Sequence, residues 1–234
     1  MPRVLCSCVH SSRSNPYVRP LGVTIMDALA VAQSKARLLK AEKSLEALKM
    51  ATKIEDAEEA WTDFLLAAST IYAKLEQGSK GHAKSQAWFG HKKKERKEDP
   101  LLRYLHFARN SDEHGIERVS ATTGENNNLL EGGRKLRFNE RFPVKLTRID
   151  EKTRQPIGET TDAVLAGPTL KPVRVYDRRF DDFCEPPTTH RGRPITYSDF
   201  LDGIAATALG YLRELVGEAE AFVNRDSVGM ATKT

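Results

Sequence analysis

Apolar residues recur along this chain at helical spacing, in blocks set off by short polar breaks. The first block, about Asp27 to Met50, carries Leu29, Ala32, Leu38, Leu39, Leu45 and Leu48 without Gly or Pro, and predicts a helix. Thr52-Lys53-Ile54-Glu55 has the spacing of a capping box, closing that helix and opening the next. The second block, about Glu55 to Glu76, is the clearest. Ala57, Ala60, Trp61, Phe64, Leu65, Ala68, Ile71, Tyr72 and Leu75 form one wide apolar stripe, and Gly78 and Gly81 end it. A basic run, His91 to Lys97, reads as a linker or a solvated face. Asp99 as N-cap and Pro100 in the first turn open a third helix through Leu101, Leu102, Leu105 and Ala108, with Gly115 as its stop. A fourth starts near Thr196 or Ser198, carries Phe200, Leu201, Ile204, Ala208, Leu212, Leu215 and Val216, and frays after Phe222.

Between the last two helices the period changes. Thr122 to Gly133 is a polar loop. Leu136, Phe138, Val144, Leu146, Val164-Leu165 and Val173-Arg174-Val175 suggest short strands among most of the prolines. The pattern therefore predicts a mainly α protein: a four-helix bundle with a small β-rich insertion between helices three and four. The bundle takes residues 26–118 and 195–224, and the insertion takes 119–194. Residues 1–25 are Arg- and Ser-bearing and lack acids. They read as a disordered tail, a transit-like leader or an over-extended start before Met26, and the last reading is preferred.

Composition narrows the classes. Of 234 residues 39% are hydrophobic and 29% charged, as in a globular protein with a core. No stretch approaches the roughly 20 apolar residues of a membrane span. The net charge of +5 suits an anionic partner without demanding one. The insertion is positive too, with 14 Lys+Arg against 9 Asp+Glu from Arg134 to Arg193. Cys6, Cys8 and Cys184 give an odd count with no CxxC, which argues against a disulfide framework and for a reduced, cytoplasmic setting. Cys6, Cys8 and His10 lack the spacing of common zinc sites and read as tail residues, so no metal or cofactor is expected.

Phosphate-cradling Gly loops, H-E-x-x-H and the nucleophile elbow are all absent. Asp181-Asp182 with Glu185 reads as a solvated acidic loop. The remaining candidate lies at the end of the third predicted helix, where Arg109 is followed by Asn110 and, after four intervening residues, His114. Arg3 and His10 have a similar spacing, but in the tail. Arg109-Asn110 to His114, in its helical setting, resembles the active-site motif of the HEPN superfamily, helical-bundle domains of which many are ribonucleases. The likeness covers the motif and the four-helix plan, about 150 residues, and leaves the β-rich insertion outside.

The resemblance implies a homodimer with two such motifs facing each other, and metal-independent cleavage of RNA by attack of a 2′-OH on the adjacent phosphorus, as in toxins or anti-phage effectors. Arg109 would stabilise the phosphate. His114 would move the proton or orient the scissile group, and Asn110 would hold the geometry. Beside the motif, Tyr104 and His106 read either as a groove on which bases stack or as half-buried helix residues, the second preferred, and Lys92, Lys93 and Lys94 either as guides for a phosphate backbone or as solvated charge, again the second preferred. Positions 109 and 114 lie about 140° apart on a straight helix. The motif therefore requires a helix break, for which Gly115 is placed, or a second copy. The rival readings on the same fold are a non-catalytic RNA- or nucleotide-binding module and a protein-interaction subunit such as an antitoxin or adaptor. Arg109 and His114 would then be ordinary cations at a helix C-terminus.

Overall fold

A computed structural model of the chain describes residues 25–114, 119–123, 134–177 and 181–231, without the side chains of 113, 114 and 225–231. The expectations for the first 24 residues, for Gly115 and for most of the polar loop lie outside the described residues. The fold is mainly helical, with five helices and small β-hairpins between the fourth and fifth.

α1 (Ala28–Met50) begins at Asp27, whose carboxylate accepts the N–H groups of Leu29 and Ala30 at 2.8 and 3.3 Å. α2 (Ile54–Ser79) runs back along it, because the Asp27 N–H donates to Gly78 O at 3.2 Å. Gly78 lies inside α2 rather than ending it. A Cβ there would stand 2.5 Å from Ala30 Cβ, so the close approach of the two helices requires glycine. All nine stripe residues named for α2 are buried. α1 is mixed: Leu45 and Leu48 are buried as expected, but Leu29 and Leu39 face solvent, and Ala30, Ser34, Ala41 and Ser44 are buried too.

The capping box does not form. Lys53 takes the N-cap position of α2 and makes no side-chain cap bond. The α1–α2 junction is held from elsewhere: Asn139 Nδ2 donates to Leu48 O and Ala51 O at 3.0 and 3.2 Å, satisfying carbonyls at the end of α1.

The basic run expected as a linker is part of α3 (Ala83–Glu98). Phe89 and Trp88 pack it on the core, and along its basic half lysine stems and ion pairs stand in for an apolar stripe. α4 (Pro100–His114) follows at once, with Asp99 both ending α3 and capping α4 through Leu102 N–H at 3.1 Å. The bundle thus has one helix more than the four expected.

The β region consists of antiparallel pairs. β1 (Ser120–Thr122) pairs with β4 (Leu170–Pro172), and β2 (Arg141–Ile149) with β3 (Pro156–Ala166). β5 (Val175–Asp177) pairs with β6 (Asp182–Cys184), and β7 (Thr189–His190) with β8 (Arg193–Pro194). Leu170, Val175, Cys184 and Ile195 join the helical core, so these hairpins are packed onto the bundle, whereas β2–β3 stands out as an arm. Leu136 and Phe138, expected in strands, precede β2 in a turn segment, with Leu136 buried. α5 (Leu201–Ala231) buries Leu201, Ile204, Ala208, Leu212, Leu215 and Val216, and runs on as helix past Phe222, where fraying was expected. Among the described residues no helix is long and apolar enough to cross a membrane.

Candidate functional site

α4 is the helix that carries the candidate motif, and it is fixed at both ends. At its start the Asp99 carboxylate, 7% exposed, accepts Leu102 N–H, Arg191 N–H at 2.7 Å and a bond with His190 Nδ1 at 3.0 Å. Burial alone would raise its pKa. The hydrogen bonds from Arg191, His190 and Leu102 together outweigh that and hold it below the ordinary Asp value. Arg191 and Gly192 both have positive φ (49° and 72°), the two-residue turn that lets β7–β8 fold back onto this helix start.

Along its length α4 buries Leu101, Leu102, Tyr104, Leu105, Phe107 and Ala108. At its far end Arg109 and Asn110 are half-buried. Arg109 Nη1 donates to Asn110 Oδ1 at 3.3 Å, and Asn110 Nδ2 donates to Asp177 Oδ2 at 2.7 Å. Asp177, on β5, is 3% exposed. Asn110 thus joins the guanidinium of α4 to a buried strand carboxylate. Two turns before Asn110, Arg103 is ion-paired with Asp182 of β6 and lies over the Phe107 ring at 5.1 Å. Asp112, in the last turn, accepts from Thr62 Oγ1 at 3.3 Å.

α4 stays helical through His114. At 100° per residue, position 114 stands about 40° from Asn110 and about 140° from Arg109. No break precedes His114, so the straight helix does not bring Arg109 and position 114 onto one face.

The outer residues expected to touch RNA fare differently. Tyr104 is fully buried, its hydroxyl donating to Val173 O at 2.9 Å, and burial pushes that phenol's pKa up. This corrects the expectation of a stacking surface: the ring is core, and a base cannot reach it. His106 is half-buried, edge-on to Phe107, and lines a small cleft with Ser69, Tyr72 and Arg96. Lys92 is 9% exposed and pairs with Glu218 at 2.8 Å and Glu95 at 3.6 Å, tying α3 to α5. Lys93 pairs with Glu76 of α2 and sits 5.7 Å over the Phe89 ring. Lys92 is thus buried between helices, a second correction, whereas Lys93 stays half-exposed. Lys94 alone of the three is well exposed, 3.7 Å from Glu98.

Sequence reasoning missed a polar network at the start of α4. His190 lies edge-on to Tyr211 at 5.6 Å, and Arg191 binds Glu95 at 2.7 Å and Glu214 at 2.6 Å. The Tyr72 hydroxyl donates to the Tyr211 oxygen at 2.9 Å, and the Tyr211 hydroxyl donates to Glu95 at 3.3 Å. An Asp-oriented His is a general-base arrangement, yet the His190 side chain is only 13% exposed and packed against Tyr211, so here it fastens β7–β8 to α4. The turn at Arg191-Gly192 was the readable signal. Nothing in the sequence linked it to Asp99. Cys184 is buried, and that burial pushes its thiol up to about 11, which disfavours the thiolate.

Comparison with known protein families, with curated proteins and with solved structures finds no match for this chain.

Proposed function

We propose that this chain is a metal-independent RNA endonuclease of the HEPN type, acting as a homodimer, with Arg109 and His114 as its chemical groups. The observation that carries the reading is the Arg109–Asn110–Asp177 chain at the end of a doubly anchored helix. It holds a guanidinium in a fixed orientation at the place where the motif requires one. A phosphate-binding fork gains from such pre-orientation, because no side-chain freedom is lost when charge develops. The reaction is a transesterification. The 2′-oxygen bonds to phosphorus as its proton passes to a base, and the P–O5′ bond breaks as the leaving oxygen takes a proton. A histidine is suited to either transfer, because an imidazole's ordinary pKa lies near neutrality. Because α4 is unbroken to His114, Arg109 of one copy works with His114 of the other. A toxin or anti-phage effector would use such an activity.

A second reading is an interaction subunit, an antitoxin or adaptor on the same fold. The burial of Tyr104 and Lys92 favours it, since it withdraws two of the expected RNA contacts. One experiment separates the two. Mixed-sequence single-stranded RNA is incubated in excess EDTA with wild type, Arg109→Ala and His114→Ala, each checked for folding. Cleavage by wild type alone, leaving 2′,3′-cyclic phosphate ends, is the expected result. No cleavage, with RNA binding that survives His114→Ala, indicates a non-catalytic binding module. Neither cleavage nor binding moves the assignment to the interaction subunit.

A further inference from the structure

α1 buries one face and leaves an apolar stripe on the other. Leu29 and Leu39 are 65% and 58% exposed, and Ala32 and Ala36 between them are exposed as well. At 100° per residue these four positions span about 80° of the helix surface. They lie nearly opposite the face formed by Ala30, Ser34, Ala41, Leu45 and Leu48, on which α2 and α5 pack. Their spacing, 29, 32, 36 and 39, is the alternation of three and four that marks a seam between paired helices. Lys43 and Glu46 take the next two places in that alternation and end the apolar part. The lysines beside the stripe are paired within the chain: Lys35 with Glu220 of α5 at 2.5 Å on one flank, and Lys40 with Asp63 of α2 at 2.8 Å on the other.

We propose that α1 pairs antiparallel with α1 of a second copy of this chain, about a two-fold axis at the level of residue 34. The stripe is its own complement in that register. Leu29 faces Leu39 of the other copy and Ala32 faces Ala36, and the axis repeats both pairs, so every layer of the seam is apolar. The alanine layers at the centre let the helix axes approach to about 8 Å, and a pair of leucines closes each end. Only residues 28–40 overlap, which leaves Lys43 and Glu46 beyond the contact. Beside the axis, Gln33 meets its counterpart on one flank. On the other flank Lys35 meets its counterpart, and the two Glu220 carboxylates make that group of four charges neutral. The order large, small, small, large selects a second copy over an unrelated protein, and the stripe itself offers a phosphate backbone no charge. The overlap is about 20 Å long, small for a specific interface, so association in the micromolar range is expected. α4 takes no part in it, so the inference stands apart from the Arg109 reading.

The test is sedimentation equilibrium of the full chain as wild type, Leu29→Lys, Leu39→Glu and an equal mixture of the two variants. Both leucines face solvent in a single copy and both replacements favour helix, so the fold is retained, which melting curves verify. Wild type is expected to associate to twice the 26.2 kDa chain mass. Each variant alone sets a charge against a leucine at both ends of the overlap, and its dissociation constant is expected to rise about tenfold or more. In the mixture the new lysine of one chain faces the new glutamate of the other, while the opposite end keeps its two leucines. The mixture is therefore expected to associate more tightly than either variant alone. A wild type that stays monomeric overturns the proposal. So does a mixture no tighter than its components. Association that both substitutions leave unchanged overturns it as well, and would leave the homodimer of the ribonuclease reading standing on another face.

Discussion

Replacing Asn110 with Asp changes one atom of the clamp and little else. The amide nitrogen that donates to Asp177 Oδ2 at 2.7 Å becomes a carboxylate oxygen, set against a group that is 3% exposed. Two unit charges about 4 Å apart repel by about 4 kcal/mol at an effective dielectric near 20. The pair escapes part of this by keeping one proton as an O–H···O⁻ bond, so its upper pKa rises by about 2 units or more. The folded value then lies above the unfolded one. The variant keeps its stability below the ordinary Asp pKa of about 3.9 and loses it as pH rises through the raised value. Urea unfolding of wild type and variant at about pH 4 and pH 8 reads this directly. The gap between them should be within about 1 kcal/mol at the lower pH and widen to about 3 kcal/mol at the higher, at 1.36 kcal/mol per pKa unit. A gap of the same size at both pH values would refute the reasoning, because it would mean that positions 110 and 177 do not meet in the folded chain.

Asp99→Ala removes a helix cap together with the partner of Arg191 N–H and His190, for a loss of about 3 kcal/mol. That corresponds to a fall of about 6–12 °C in Tm for a domain of this size. The Asp99 pKa is depressed in the fold, so its contribution is present above the ordinary Asp value and fades as pH falls through the lower folded one. Melting curves at pH 7 and pH 3 should therefore converge, and equal Tm values at pH 7 would contradict the anchoring role. Tyr104→Phe deletes only the bond to Val173 O and should cost about 1 kcal/mol in denaturant unfolding, with RNA affinity unmoved. A loss of RNA binding at unchanged stability would return Tyr104 to a surface role.

What could be read in advance follows the strength of the periodic signal. α2 was legible residue by residue because large apolar side chains mark its buried face, and that face is wide. α1 was legible in extent and in part of its orientation. Leu45 and Leu48 are buried as the spacing predicted, but Leu29 and Leu39 point outward and the small residues Ala30, Ser34, Ala41 and Ser44 are buried, with Ala30 close against Gly78 of α2. α3 was invisible because charged side chains supply its contacts. Lys92 is buried by an ion pair across the bundle, a relation no local pattern encodes. The same limit applies to the candidate site. Arg109 and Asn110 could be picked out, whereas Asp177, which fixes Asn110, lies in a three-residue strand far along the chain. The capping box is absent because Lys53, which has no acceptor to offer, takes the N-cap position of α2, and the junction is held instead on its carbonyl side by Asn139, a residue of the β region.

The β region therefore helps to build the proposed site. An arginine at the end of a free helix samples many rotamers, and holding one of them costs entropy each time a phosphate binds. Here part of that cost is met at folding, because β5 docks on α4 and presents a buried carboxylate to the residue next to Arg109. The unbroken helix then keeps position 114 some 140° away from that arginine. A rigid mount for one group and no path for the other within the same copy is the geometry of half a site. If the reaction is the one proposed, the second half has to come from another chain.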